Sequence, residues 1–83
     1  MTEQTFSPRG IDEFEKDSKW FYENIDSLRE KKYTGKFVAI KNKEVIASDD
    51  NLKTVVINIE KLGENPSYIL IEFVYPKEAV VLL

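Results

Sequence analysis

The side chains best suited to chemistry lie in a basic, aromatic-bearing segment between residues 29 and 43. This segment carries six basic side chains and one acidic one, whereas residues 1–28 and residues 44–83 each carry three basic and seven acidic side chains. Lysines placed around aromatic rings can bind phosphate while the rings stack on bases. An accessory nucleic-acid-binding module is therefore an alternative function, with these candidate contacts: Lys31, Lys32, Lys36, Lys41 and Lys43.

The overall charge argues against a dedicated nucleic-acid binder. Fifteen acidic residues outnumber twelve basic ones, the net charge is −3, and only Arg9 and Arg29 could make planar bidentate contacts. We expect any such binding to be weak, indifferent to sequence and lost as the salt concentration rises.

The residue types argue against catalysis, because the chain contains neither histidine nor cysteine. Those two residues carry most general-base, nucleophilic and transition-metal chemistry near neutral pH. The pair Asp49 and Asp50 offers oxygen ligands for a hard cation, yet no calcium-loop spacing follows it, and it is most simply read as a helix start. We therefore predict no enzyme activity, no catalytic or metal-binding residue and no cofactor.

The composition is that of a soluble globular chain. Hydrophobic residues make up 42% and charged residues 33% of 83 residues, and no apolar run approaches the length of a membrane span. We expect a cytoplasmic protein with no membrane partner. The ten lysines, ten glutamates and eight isoleucines lean toward a thermophile composition.

The elements that must position these residues begin with a helix. Residues 1–9 show no periodicity and are predicted to be a flexible leader before a single domain over residues 10–83. Apolar residues then recur at helical intervals from Ile11 to Leu28, and Asp12 and Glu15 have capping-box spacing, so a helix is expected to about Lys32. Gly35 follows this helix and is predicted to take a positive φ.

Two short β-rich runs, residues 37–40 and 45–47, flank a polar stretch and predict a hairpin. Residues 48–50 supply candidate N-cap and first-turn groups for a second helix that Gly63 would end. The β-branched residues 54–59 also suit a strand, and helix is favoured because both ends carry helix signals.

An apolar run from Tyr68 to Tyr75, interrupted by Glu72 and ended by Pro76, predicts the last strand. If this strand lies beside the first, the two are expected to be antiparallel. The apolar tail from Ala79 to Leu83 is predicted to pack on the core, add a fourth strand or meet another chain. The expected fold is a two-layer α+β domain of order α-β-β-α-β, with a mainly antiparallel sheet of three or four strands packed against two helices.

The central block holds a set of residues with a recognisable spacing: Trp20, Tyr33-Thr34-Gly35-Lys36-Phe37-Val38-Ala39, Val45-Ile46-Ala47 and Leu52 after two acids. In these residues the chain resembles a family of small prokaryotic domains of unknown function. Phe37 stands where this family usually has tryptophan. The resemblance implies the same order of elements and a small stand-alone or fusible module, and it assigns no catalytic residue.

We interpret the chain as a small interaction module that binds a protein partner or itself, as a weak homodimer. The expected surfaces are the sheet edge and the apolar tail, with an aromatic side chain of the first helix as a further anchor. The candidate partner-binding residues are Trp20, Tyr22, Val80, Val81, Leu82 and Leu83.

Overall fold

A computed structural model describes residues 11–77. Its elements are α1 (Ile11–Glu23), α2 (Ile25–Leu28), a π-helical turn (Arg29–Tyr33), β1 (Phe37–Ile40), β2 (Val45–Asp49), α3 (Leu52–Lys61), a 3-10 turn (Pro66–Tyr68) and β3 (Leu70–Phe73). The predicted leader and the tail from Ala79 to Leu83 lie outside the described residues. None of the helices formed within residues 11–77 is long and apolar enough to cross a membrane.

The three strands form one antiparallel sheet with β1 at its centre, in the order β2-β1-β3. Phe37 lies opposite Asp49 on one side and opposite Phe73 on the other. The predicted hairpin, the last strand and its antiparallel orientation beside the first strand are thus confirmed. The last strand is shorter than predicted, because Tyr68 belongs to the 3-10 turn.

The helices pack on opposite faces of this sheet. Side chains alternate along a strand, so Val38 and Ile40 face one side and Ala39 faces the other. Val38 and Ile40 pack with Phe21 of α1 and Leu28 of α2, in a core cluster that also holds Val74. On the second face, Ala39 packs with the remaining buried core residues, Val55, Ile59 and Ile69. The predicted α+β class is confirmed. The sequence predicted two layers, whereas helices cover both faces of the sheet.

The predicted first helix is divided at Asn24. Its backbone leaves helical geometry (φ −114°, ψ 15°), and its side-chain Nδ2 donates to the carbonyl of Trp20 over 2.8 Å. Asparagine disturbs helices in this way because its amide competes with the backbone for hydrogen bonds. The helical segment then ends at Lys32, whose φ is +88°, at the position that the sequence predicted.

The turn between β1 and β2 is held by a buried carboxylate. Asn42 and Lys43 both have positive φ, 54° and 63°. The backbone N–H of Lys41 donates a hydrogen bond to the carbonyl of Glu44, and the N–H of Glu44 donates to the carbonyl of Lys41. Together these features define a type I′ turn. The N–H of Lys43 donates to Oδ1 of Asp17 in α1 over 2.9 Å. Asp17 is only 2% exposed, so α1 and the hairpin are joined by a polar contact inside the protein.

The segment with ambiguous propensity, residues 53–59, is a helix. Asn51 is its N-cap, with a side-chain oxygen that accepts from the N–H groups of Lys53 and Thr54, whereas residues 48–50 had been the expected cap. At the other end, Gly63 (φ +84°) donates to Glu60, and the next N–H donates to Ile59, which is a Schellman motif. These two caps and the burial of one helical stripe outweigh the β-branched propensity.

Candidate functional site

A tight turn connects the helical layer to the sheet. Its two central residues are Thr34 (φ −58°, ψ 130°) and Gly35 (φ +81°). The N–H of Lys36 donates a hydrogen bond to the carbonyl of Tyr33, so residues 33–36 form a type II turn. Gly35 N–H also donates to the carbonyl of Val74, while Val74 N–H donates to the carbonyl of Lys36. This is a G1 bulge, which needs glycine at its first position. The predicted positive φ of Gly35 is confirmed.

The bulge decides which backbone groups of β3 face outward. Hydrogen-bonded pairs alternate along an antiparallel ladder, so the bonds at Val74 imply that Leu70 and Glu72 also point their backbone groups toward β1. The N–H and C=O groups of Ile71 and Phe73 then point to the other side. Within residues 11–77 no strand pairs with that side of β3.

An aromatic row lies beside this edge. The rings of Phe37 and Phe73 meet edge to face with centroids 4.9 Å apart, and those of Phe73 and Tyr75 meet in the same way at 4.7 Å. Tyr75 is 57% exposed, and Phe37 and Phe73 are half-buried, because α3 packs mainly on β2 and β1. Together with Ile71, these residues make up what we call the edge surface: Phe37, Ile71, Phe73 and Tyr75.

Arg29 closes one end of the edge surface. Its Nε donates to the carbonyl of Tyr75 over 2.9 Å, and its Nη1 lies 3.0 Å from Oδ1 of Asp26. The guanidinium therefore satisfies the backbone acceptor that follows β3. The open part of the edge is limited to Ile71 and Phe73.

Glu72 lies on the other face of the same strand. It is opposite Val38 in register and shares its face with Leu70, so it lies on the side covered by α1. Burial raises the pKa of the Glu72 carboxyl above its ordinary value. An inward charge on an edge strand disfavours indiscriminate pairing with other chains.

A second surface is a groove between the helical layer and the hairpin, with a volume of about 200 Å³. We call it the Trp20 groove, and its lining is Trp20, Asn24, Ser27, Leu28, Lys31, Tyr33, Lys43, Glu44 and Val45. It brings together residues that the sequence had assigned to two different hypotheses. Trp20 was a candidate protein anchor, and Lys31 and Lys43 were candidate phosphate contacts.

The five candidate lysines do not form one continuous basic face. Lys36 precedes β1, whereas Lys41 and Lys43 follow it at the opposite end of the strand. Lys41 is engaged in an ion pair with Glu64, and Lys32 is exposed on the π-helical turn. Only Lys31 and Lys43 share a groove, so the nucleic-acid hypothesis stays a prediction that rests on two lysines.

Of the candidate anchors, Tyr22 is exposed at 62%, although its ring contacts Phe21 edge to face. Val80, Val81, Leu82 and Leu83 lie outside the described residues. The sequence analysis had not assigned Tyr33, Phe73 or Tyr75 to a binding surface. The alternation of Ile71, Phe73 and Tyr75 along the strand was the signal available for the edge surface, but it did not indicate which strand lies at the edge.

No three carboxylates within the described range converge in a way that could hold a metal ion. Comparison with known proteins returned no match among curated proteins and none among solved structures. It did return a protein family, DUF5678, a family of unknown function, over residues 29–77, which is more than half of the 83 residues. This span contains the type II turn, the bulge and all three strands, in agreement with a resemblance to a family of small domains without an assigned activity. The chain belongs to the DUF5678 family.

Proposed function

We propose that this chain is a non-catalytic interaction module that binds an extended protein segment at the open edge of β3. The observation that carries the proposal is the pair of outward-facing residues, Ile71 and Phe73, on a strand that pairs only with β1 among the described residues. An added strand would hydrogen-bond to their backbone groups, as in other cases of strand addition.

The edge surface supplies the apolar contact for such a segment. Backbone hydrogen bonds give little selectivity, so strand addition depends on side chains that pack beside the new strand. Phe73 and Tyr75 offer ring area next to the edge, and aromatic side chains are enriched in protein interfaces. The carbonyl of Tyr75 already accepts a hydrogen bond from Arg29, so the added strand is confined to the positions beside Ile71 and Phe73.

The bound segment comes from a protein partner or from a second copy of this chain. The residues of the tail that the sequence offers for self-association are Val80, Val81, Leu82 and Leu83. The absence of histidine and cysteine supports a module that binds rather than catalyses.

Amide hydrogen exchange on the full chain tests the proposal. We expect the N–H groups of Ile71 and Phe73 to exchange fast in dilute solution and to be protected when a strand is added. One arm raises the protein concentration to about 1 mM, where even a weak homodimer forms. A second arm adds extended peptides rich in β-branched and aromatic residues.

Two variants sharpen the result. Ile71→Pro removes an outward N–H, which an edge strand tolerates, and should abolish binding in either arm. It also removes the packing of Ile71 on the second core cluster, so urea unfolding of the variant must show that the domain stays folded. Ile57→Ala removes an exposed apolar side chain on α3, outside both candidate surfaces, and serves as the matched control. A chain whose Ile71 and Phe73 amides stay unprotected in both arms, or whose binding survives Ile71→Pro, would refute the proposal. Protection in the dilute full chain that a deletion of residues 79–83 removes would instead assign the edge to the chain's own tail.

A further inference from the structure

The Trp20 groove combines an apolar floor with unpaired cations at its rim. It lies beside the hairpin and therefore on the β2 side of β1, away from the edge surface on β3. Leu28 is 3% exposed and forms part of the core, and Trp20, Tyr33 and Val45 are half-buried against the same core cluster. The floor is thus a rigid apolar surface backed by packed side chains.

The rim carries more positive than negative charge. Lys31 and Lys43 are exposed, and neither forms an ion pair with any residue between 11 and 77. Glu44 is the single acidic side chain in the lining, and it is exposed. The lining therefore has a net positive charge on a chain whose net charge is −3.

The groove also offers hydrogen-bond donors. The indole N–H of Trp20 and the hydroxyls of Ser27 and Tyr33 make no hydrogen bond to other groups within residues 11–77. Five donors, counting the two ammonium groups, therefore border a groove with one carboxylate. Such a lining is complementary to a ligand that carries acceptors and negative charge.

The backbone holds these groups in place at some cost. Lys32 has φ +88°, a conformation that non-glycine residues rarely adopt, and it lies between Lys31 and Tyr33 in the lining. On the opposite rim, Lys43 also has positive φ, and its N–H is held by the buried Asp17. Strained residues that the surrounding structure keeps in place are concentrated at functional sites.

We propose that the Trp20 groove binds a short acidic peptide segment. One apolar side chain of the peptide packs on the half-buried Trp20 and Val45, and flanking carboxylates meet the ammonium groups of Lys31 and Lys43. A volume of about 200 Å³ accommodates a single side chain rather than a larger ligand. Nucleic acid fits less well, because only two cations border the groove and Trp20 and Tyr33 are half-buried and offer little open ring face for a base.

Fluorescence of Trp20, which is the single tryptophan of the chain, reports on this groove directly. The probe is an acetylated, amidated peptide Asp-Glu-Leu-Asp-Glu, titrated into the full chain at about 50 mM salt, where surface electrostatics are weakly screened. We expect a saturable change in emission with a Kd of about 0.1 to 1 mM. The matched peptide Asn-Gln-Leu-Asn-Gln should bind at least tenfold more weakly.

Lysine variants locate the binding. Lys31→Gln and Lys43→Gln should each raise the Kd about threefold, the range expected for one exposed charge pair, and together about tenfold. Lys53→Gln removes an exposed lysine from α3, on the opposite face of the sheet, and should leave the Kd unchanged. Urea unfolding of each variant shows whether the fold is retained.

The outcomes separate this site from its alternatives. The proposal would be overturned if the emission showed no saturable change up to about 5 mM peptide. It would also be overturned if Lys53→Gln raised the Kd as much as Lys31→Gln does. The groove would instead be assigned to nucleic acid if an oligothymidylate of twelve nucleotides bound more tightly than the acidic peptide and if this binding were lost in the Lys31→Gln and Lys43→Gln variants. Ile71→Pro should leave peptide binding unchanged, so this test is independent of the edge of β3.

Discussion

Replacing Gly35 with alanine tests the turn that joins the helical layer to the sheet. Gly35 has φ +81°, and a Cβ built at this position meets no atom within 4 Å. The cost of alanine is therefore one of backbone strain and not of collision. A left-handed conformation costs an L-residue roughly 1 to 2 kcal/mol, so we expect a loss of about 1 to 2 kcal/mol in the free energy of unfolding.

This loss is large enough to measure. A chain of this length has a free energy of unfolding of about 4 to 12 kcal/mol, and 1 kcal/mol shifts its melting temperature by about 4 to 8 °C. Urea unfolding followed by circular dichroism gives the difference directly, because the midpoint should fall while the slope stays unchanged.

Two further variants separate backbone strain from other effects. Gly63 has φ +84° and equally open surroundings, so Gly63→Ala should cost about as much as Gly35→Ala. Gly35→Asn should cost less than Gly35→Ala, since asparagine tolerates the left-handed region better than alanine does. A Gly35→Ala variant as stable as the parent, or an asparagine variant less stable than the alanine one, would refute the reasoning.

Three other substitutions probe the fold. Glu72→Gln should stabilise the domain at pH 7. Burial raises the folded-state pKa of Glu72, so the ionised carboxylate destabilises the folded state at a pH above that pKa. This destabilisation disappears as the pH falls toward 4.5, the ordinary pKa of the group. Urea unfolding at pH 4.5 and pH 7 should show the gain only at the higher pH, and Glu60→Gln, on the exposed side of α3, should show none. Asn51→Ala should cost about 1 kcal/mol through loss of the N-cap of α3, whereas Asn51→Asp should keep most of the stability; equal losses in the two variants would contradict a capping role. Asp17→Ala leaves the N–H of Lys43 without its buried acceptor and should cost about 1 to 3 kcal/mol by thermal unfolding, against little change for the exposed Asp12→Ala.

The sequence alone was enough to predict the order of elements and the antiparallel sheet. Helical and strand periodicities are local, and so are the turn preferences that place breaks near Gly35, at residues 41–44 and at Gly63. The caps also decided the ambiguous segment 53–59 in favour of a helix. The break at Asn24 was missed because the apolar stripe continues across it without interruption.

Tertiary structure decided which of these residues meet. Strand order and the face on which a helix packs depend on contacts between segments far apart in the chain, which no local pattern specifies. The order β2-β1-β3 leaves Ile71 and Phe73 at an open edge within the described residues. The packing of α1 against the hairpin brings Trp20 to Lys43 and buries Asp17. The length of β1 places Lys36 at the opposite end of the strand from Lys41 and Lys43. The residue types for both candidate surfaces were visible in the sequence, but their grouping into surfaces follows from long-range packing.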